Sequence, residues 1–84
     1  MNVTILYFAG LRDALGQSSE QLAVPAGIGN VGELRAHLAA RRGDWQALAE
    51  TKNLRAAVNQ TMATMDAPIK DGDEIAFFPP VTGG

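Results

Sequence analysis

The stretch Asn2 to Ala9 constrains the fold most, because apolar residues alternate along both of its sides. Val3, Ile5 and Tyr7 fall on one side, and Leu6 and Phe8, joined by Thr4, fall on the other. Successive side chains of a strand point to opposite faces, so the segment is predicted to be a central strand with both faces at least partly covered.

The rest of the sequence supplies its neighbours. Leu11 to Leu15 predicts a helical turn ended by Gly16, and Glu20 to Val24 a short strand stopped by Pro25, the two strands forming a hairpin with a wide connection. Asn30 followed by Glu33 has the pattern of an N-cap whose third helical residue reaches back. Val31, Leu34 and Leu38 then follow at helical spacing, which predicts the main helix, ended by Gly43. Asp44 is placed to cap a further short helix anchored by Trp45 and Leu48. Leu54, Ala56 and Val58 alternate with Arg55, Ala57 and Asn59, a third strand that leads through an Asn59-Gln60 turn into a short strand over Met62 to Met65. Asp71-Gly72-Asp73 marks another turn, after which Glu74 to Phe78 forms the last strand. Pro79-Pro80 cannot donate backbone hydrogen bonds, so the ladder stops there.

This order is that of an α+β, β-grasp fold: a mixed sheet packed on one main helix plus a short second helix. A long crossover separates the first and last strands, which are therefore expected side by side and parallel. The expected organisation is one domain over residues 1–78 and an extended tail over 79–84. A chain of 84 residues buries roughly 60% of its unfolded surface and has no room for a deep pocket. Chemistry is accordingly expected at an edge or a terminus.

Apolar residues make up 46% of the chain and the net charge is −2, with five arginines and two lysines scattered, which favours a folded domain and gives no electrostatic reason to bind nucleic acid. No apolar run approaches the roughly 20 residues of a membrane span, and no basic segment precedes the first strand, so a cytoplasmic location is expected. The absence of cysteine excludes disulfides, thiolate metal sites and a cysteine nucleophile. Any sulfur-transfer chemistry must use a sulfur atom that is not genetically encoded.

The tail combines stiffness, reach and an open end. Pro79-Pro80 favours an extended conformation, and six residues at about 3.3 Å each reach roughly 20 Å. Gly83 and Gly84 remove every Cβ near the terminal carboxylate, so the tail can pass a narrow channel. With glycine near 7% of average usage, two in succession arise at an end by chance in about one chain in two hundred. The alternative is an ordinary frayed terminus. If the carboxylate is the working group, an ATP-dependent enzyme must first make it an acyl-adenylate. A sulfur nucleophile can then displace AMP and leave a thiocarboxylate.

Phe77 and Phe78 are adjacent in a strand and must point to opposite faces, of which one helix layer covers only one. Either a partner meets the other, with Phe8 or Tyr7 joining the patch, or loops and the short helix cover it. His37 lies off the apolar stripe and is read as solvent-facing, and no metal site is expected. Asp66, Asp71, Asp73 and Glu74 read as a solvated acidic turn, with docking to a basic surface as the alternative. The glycines of Gly27 to Gly32 lack the spacing and the lysine of a phosphate loop and are assigned to a turn.

At Ala57-Val58-Asn59-Gln60, and again from Asp71 through Ile75-Ala76-Phe77-Phe78-Pro79-Pro80-Val81-Thr82-Gly83-Gly84, the chain resembles the small, sulfur-carrying subunits of molybdopterin synthase, a ubiquitin-like family. Tyr7-Phe8-Ala9, Leu11-Arg12 and Leu15-Gly16 fit the start of that family, and the likeness extends over nearly the whole length. It implies that Gly84 is adenylated by a ubiquitin-activating-like enzyme using ATP, becomes a thiocarboxylate through a sulfur donor, and delivers sulfur to cyclic pyranopterin monophosphate in the large synthase subunit. The complex implied is a heterotetramer. The small subunit would bind no cofactor and hold no catalytic residue, the acid–base groups belonging to the large subunit. Gly83 would permit passage, and strand geometry offers Phe8, Phe78, Pro80 and Val81 as partner contacts. A carrier feeding thiazole synthesis for thiamine, a protein modifier joined to lysines, and a plain interaction module are the other readings of the same tail.

Overall fold

A computed structural model describes residues 1–80. Strand β1 (Asn2–Tyr7) is followed by helix α1 (Ala9–Leu15), β2 (Ser19–Ala23), helix α2 (Val31–Ala39), a 3₁₀ turn (Gly43–Gln46), the single-turn helix α3 (Ala47–Glu50), β3 (Arg55–Val58), β4 (Thr61–Ala63) and β5 (Glu74–Phe78). The sheet order is β2-β1-β5-β3-β4. β1 is antiparallel to β2 and parallel to β5, while β3 is antiparallel to both β4 and β5. The mixed sheet and the parallel pairing of first and last strands are those expected from the element order.

The strands bury the residues that their alternation marks. Val3, Ile5 and Tyr7 of β1, Ile75 and Phe77 of β5 and Ala56 of β3 face the helices and pack with Val31, Leu34 and Leu38 of α2 and with Leu48 of α3. Ile5, Leu34, Leu38, Leu48, Ile75 and Phe77 have no exposed surface. Burial of a large aliphatic or aromatic side chain contributes about 1.5–3 kcal/mol, so this layer dominates the stability of so short a chain.

Helix α2 begins as its capping pattern predicts. The Asn30 side-chain carbonyl accepts from the Glu33 N–H at 2.8 Å, and the Glu33 carboxylate reaches back to the Gly29 N–H at 2.9 Å, one residue before the cap. The first turn also leans on the β4–β5 connection, with the Val31 N–H on the Ala67 carbonyl and the Gly32 N–H on the Met65 carbonyl at 2.6 Å. The other end differs from expectation. The helix stops at Ala39, and Gly43, with φ of 78°, opens the 3₁₀ turn instead of ending the helix. Asp44 lies inside that turn and no side chain caps it. The carbonyls at the end of α3 are met from across the layer, by Arg35 Nε on Leu48 at 2.7 Å and Arg35 Nη2 on Thr51 at 3.0 Å.

Arg41, just past α2, donates to both carboxylate oxygens of Glu20 on β2, at 2.7 and 3.2 Å. Tyr7 on β1 donates its hydroxyl to the same carboxylate at 2.7 Å, and Trp45 closes the cluster, its ring 4.4 Å from the Arg41 guanidinium and edge-on to Tyr7. Partial burial would raise the Glu20 carboxyl, but hydrogen bonds from Arg41 and Tyr7 and the Arg41 charge hold it below the ordinary carboxylate value. The Tyr7 hydroxyl is pushed up, first by burial and then by its bond to Glu20.

The acidic turn is more than a solvated loop. Asp71 accepts from the Asn2 N–H at 2.6 Å, and Asp73 accepts from the Lys70 N–H and the Asn59 amide. Two carboxylates thereby align the start of β5 with β1 and with the β3–β4 turn. Asn59 and Gln60 both have positive φ, the geometry of a two-residue hairpin turn.

Candidate functional site

The helices cover one face of the sheet and leave the other open. Register identifies what that open face carries. Ile5 pairs with Ile75 and Tyr7 with Phe77 on the covered side, so Leu6, Ala76 and Phe78 stand on the other. Ala57 pairs with Ala76, Arg55 with Phe78 and Met62 with Ala57, which extends the open face across β3 to the edge strand β4. One row thus runs Leu6, Ala76, Ala57, Met62, with two short alanines between longer side chains.

Phe8 continues the outward alternation of β1 with an extended backbone, caps α1 and donates its N–H to the Phe77 carbonyl at 3.2 Å. Phe8 is 44% exposed and Met62 58%, high values for large apolar residues. Phe77 is buried and Phe78 half-buried, so the adjacent phenylalanines divide between the faces as strand geometry requires.

β5 ends at Phe78, and Pro79 and Pro80 follow outside the ladder. Pro80 lines a shallow groove of about 410 Å³ together with Asn53, Leu54, Arg55 and residues 62–65. The root of the tail therefore sits at the margin of the open face, beside the exposed Arg55 and Met62. Val81, Gly83 and Gly84 lie outside the described residues. His37 is half-buried on α2.

Phe8, Phe78 and Pro80 are thus brought to one side of the molecule. Leu6, Arg55, Ala57, Met62 and Ala76 share that side and were not singled out from the sequence. Part of the signal for Met62 was present: a two-residue turn at Asn59-Gln60 forces Val58 opposite Thr61 and Ala57 opposite Met62, which puts Met62 on the face of Ala57.

Comparison with known proteins shows the family. Residues 5–84 match the ThiS family. The chain belongs to that family. It is 45% identical to the molybdopterin synthase sulfur carrier subunit of Escherichia coli, an alignment covering 98% of this chain and 99% of the relative. Among solved structures, SAMP1 of Haloferax volcanii, a small archaeal modifier protein, superimposes with a TM-score of 0.77 at 26% identity over the whole of both chains. A complex of subunits 1 and 2 of the molybdopterin-converting factor from Helicobacter pylori contains a chain that matches at a TM-score of 0.67 and 26% identity, again over the whole of both chains. The family's fold is the ubiquitin-like β-grasp. No helix among the described residues is long and apolar enough to cross a membrane.

Proposed function

We propose that this chain is the sulfur carrier subunit of a molybdopterin synthase and that the carboxyl group of Gly84 is its working group. The observation that carries the reading is the full-length, 45% match to the Escherichia coli carrier subunit. A ubiquitin-activating-like enzyme attacks ATP with the Gly84 carboxylate, forming an acyl-adenylate and releasing pyrophosphate. A sulfur donor then displaces AMP and leaves the thiocarboxylate. The loaded tail enters the large subunit, Gly83 easing passage, and the sulfur is transferred there to cyclic pyranopterin monophosphate.

On this reading the chain is a cosubstrate in the cytoplasm, binds no cofactor itself, and leaves acid–base catalysis to the large subunit. The open face supports the division of labour, because it presents an apolar surface at the root of the tail. Phe8 and Phe78 anchor the large subunit there, with Pro80 and Val81 guiding the tail away. Likeness to a subunit found with its partner in the Helicobacter pylori complex favours a two-subunit assembly, for which we propose a heterotetramer.

The test is thiol-specific alkylation after incubation with ATP, the activating enzyme and a sulfur donor, followed by mass analysis of the C-terminal peptide. The chain has no cysteine, so alkylation of the peptide ending in Gly84 reports a thiocarboxylate. Its absence with a competent donor system rejects the carrier. The likeness to a small archaeal modifier protein favours one second reading, in which the tail is joined to lysines. An isopeptide bond from Gly84 in place of a thiocarboxylate would establish it.

A further inference from the structure

We propose that Met62 is an oxidation switch on the docking face: a hydroperoxide converts its thioether to a sulfoxide and thereby weakens attachment to the large subunit. The inference rests on the carrier reading and adds a means of regulating the same face.

Thioethers are the only encoded sulfur atoms in this cysteine-free chain, and three methionines carry them. Met65 is half-buried and packs on the core, which limits access to its sulfur. Met1 is 40% exposed but lies at the opposite end of β1 from Phe8, where its carbonyl accepts from Val24. Met62 is 58% exposed on β4, which is an edge strand among the described residues. It ends the row that runs from Leu6 across Ala76 and Ala57, whose short side chains are themselves only 9% and 8% exposed. Met62 is therefore the methionine that is both open to a solvent oxidant and part of the apolar surface beside the tail root.

In the step itself the peroxide O–O bond breaks and one oxygen bonds to the Met62 sulfur. The sulfur loses two electrons, and hydrogen peroxide leaves as water. The sulfoxide is a polar acceptor where the thioether was apolar. Docking then strips water from that acceptor without a matching donor in an apolar contact, which lowers affinity by about ten- to hundred-fold. Methionine sulfoxide reductases reverse the change, so sulfur delivery would follow the peroxide level.

The experiment oxidises the free carrier with limiting hydrogen peroxide, removes the peroxide, and follows site-resolved sulfoxide formation by mass spectrometry alongside calorimetric binding to the unoxidised large subunit. Met62 should oxidise faster than Met65, affinity should fall in step with Met62 sulfoxide, and reductase treatment should restore it. Met62→Leu should make the ratio of affinities before and after peroxide close to one, whatever its starting affinity. Met65→Leu should leave the peroxide response in place. Unchanged affinity of the Met62 sulfoxide form overturns the inference and leaves the carrier reading standing. Failure of the untreated carrier to bind the large subunit overturns both.

Discussion

Tyr7 and Phe77 are paired across the parallel β1–β5 ladder with both rings buried beneath the helices, and this pairing sends Phe8 and Phe78, the residues that follow them in the chain, to the open face. The register that completes the core therefore also assembles the open apolar face proposed to dock the large subunit. The exposed Phe8 contributes little to folding, so Phe8→Ala should leave the melting temperature within a few degrees. In isothermal titration calorimetry it should weaken binding to the large subunit by about 2 kcal/mol, roughly thirty-fold, as loss of an aromatic anchor does. Phe78→Ala should weaken binding similarly and also lower the melting temperature, because its ring is half-buried.

Stability should fall at both ends of the pH scale through one cluster. The folded-state value of Glu20 lies below its ordinary 4.5, so its contribution is complete above that pH and is lost as pH falls through the lowered value. Tyr7 has the opposite sign: raised above its ordinary 10.0, it contributes fully below that pH and loses its contribution as pH rises through the raised value. Glu20→Gln should cost about 1 kcal/mol at pH 7 and flatten the acid limb of stability in urea titrations between pH 3 and about 6. An unchanged acid limb would show that other carboxylates control it.

Two helical glycines should respond to alanine with opposite signs. A Cβ at Gly32 would come within 3.0 Å of the Met65 carbonyl, the same oxygen that accepts the Gly32 N–H. Gly32→Ala should therefore lower stability by about 1 kcal/mol despite the gain in helix propensity of similar size. A Cβ at Gly10 meets nothing within 4 Å, so Gly10→Ala should raise stability by about 0.5–1 kcal/mol. Thermal melts suffice, since 1 kcal/mol shifts the midpoint by about 4–8 °C in a domain of this size.

Deleting Gly84 should leave the thermal transition unchanged, because the core described is built from residues between Val3 and Phe77. Sulfur transfer assayed with the large subunit and the pterin substrate should then be abolished. Normal transfer by the deletion variant would falsify the mechanism.

Periodicity together with caps, turns and proline stops located the elements in order, though not every end, because strands and helices repeat their burial every 2 and 3.6 residues. The two-sided alternation of Val3 to Phe8, the Asn30 cap and the proline stop after Phe78 are local features, and each lies where the structure has it. The tail's composition was equally local.

The tertiary structure decided what depends on partners distant in sequence. α2 ends before Gly43, and just past it Arg41 crosses to a carboxylate on β2, a pairing that no periodicity encodes. Asp71 became a structural acceptor because parallel pairing brings Asn2 to the turn before β5, and Asp73 because the antiparallel β3–β5 pairing brings Asn59 to the same turn. Met62 joined the face of Phe8 and Phe78 only when the register of three strand pairs was fixed. Alternation assigns a residue to one of two faces of its own strand; cross-strand hydrogen bonding decides which faces of different strands become the same surface.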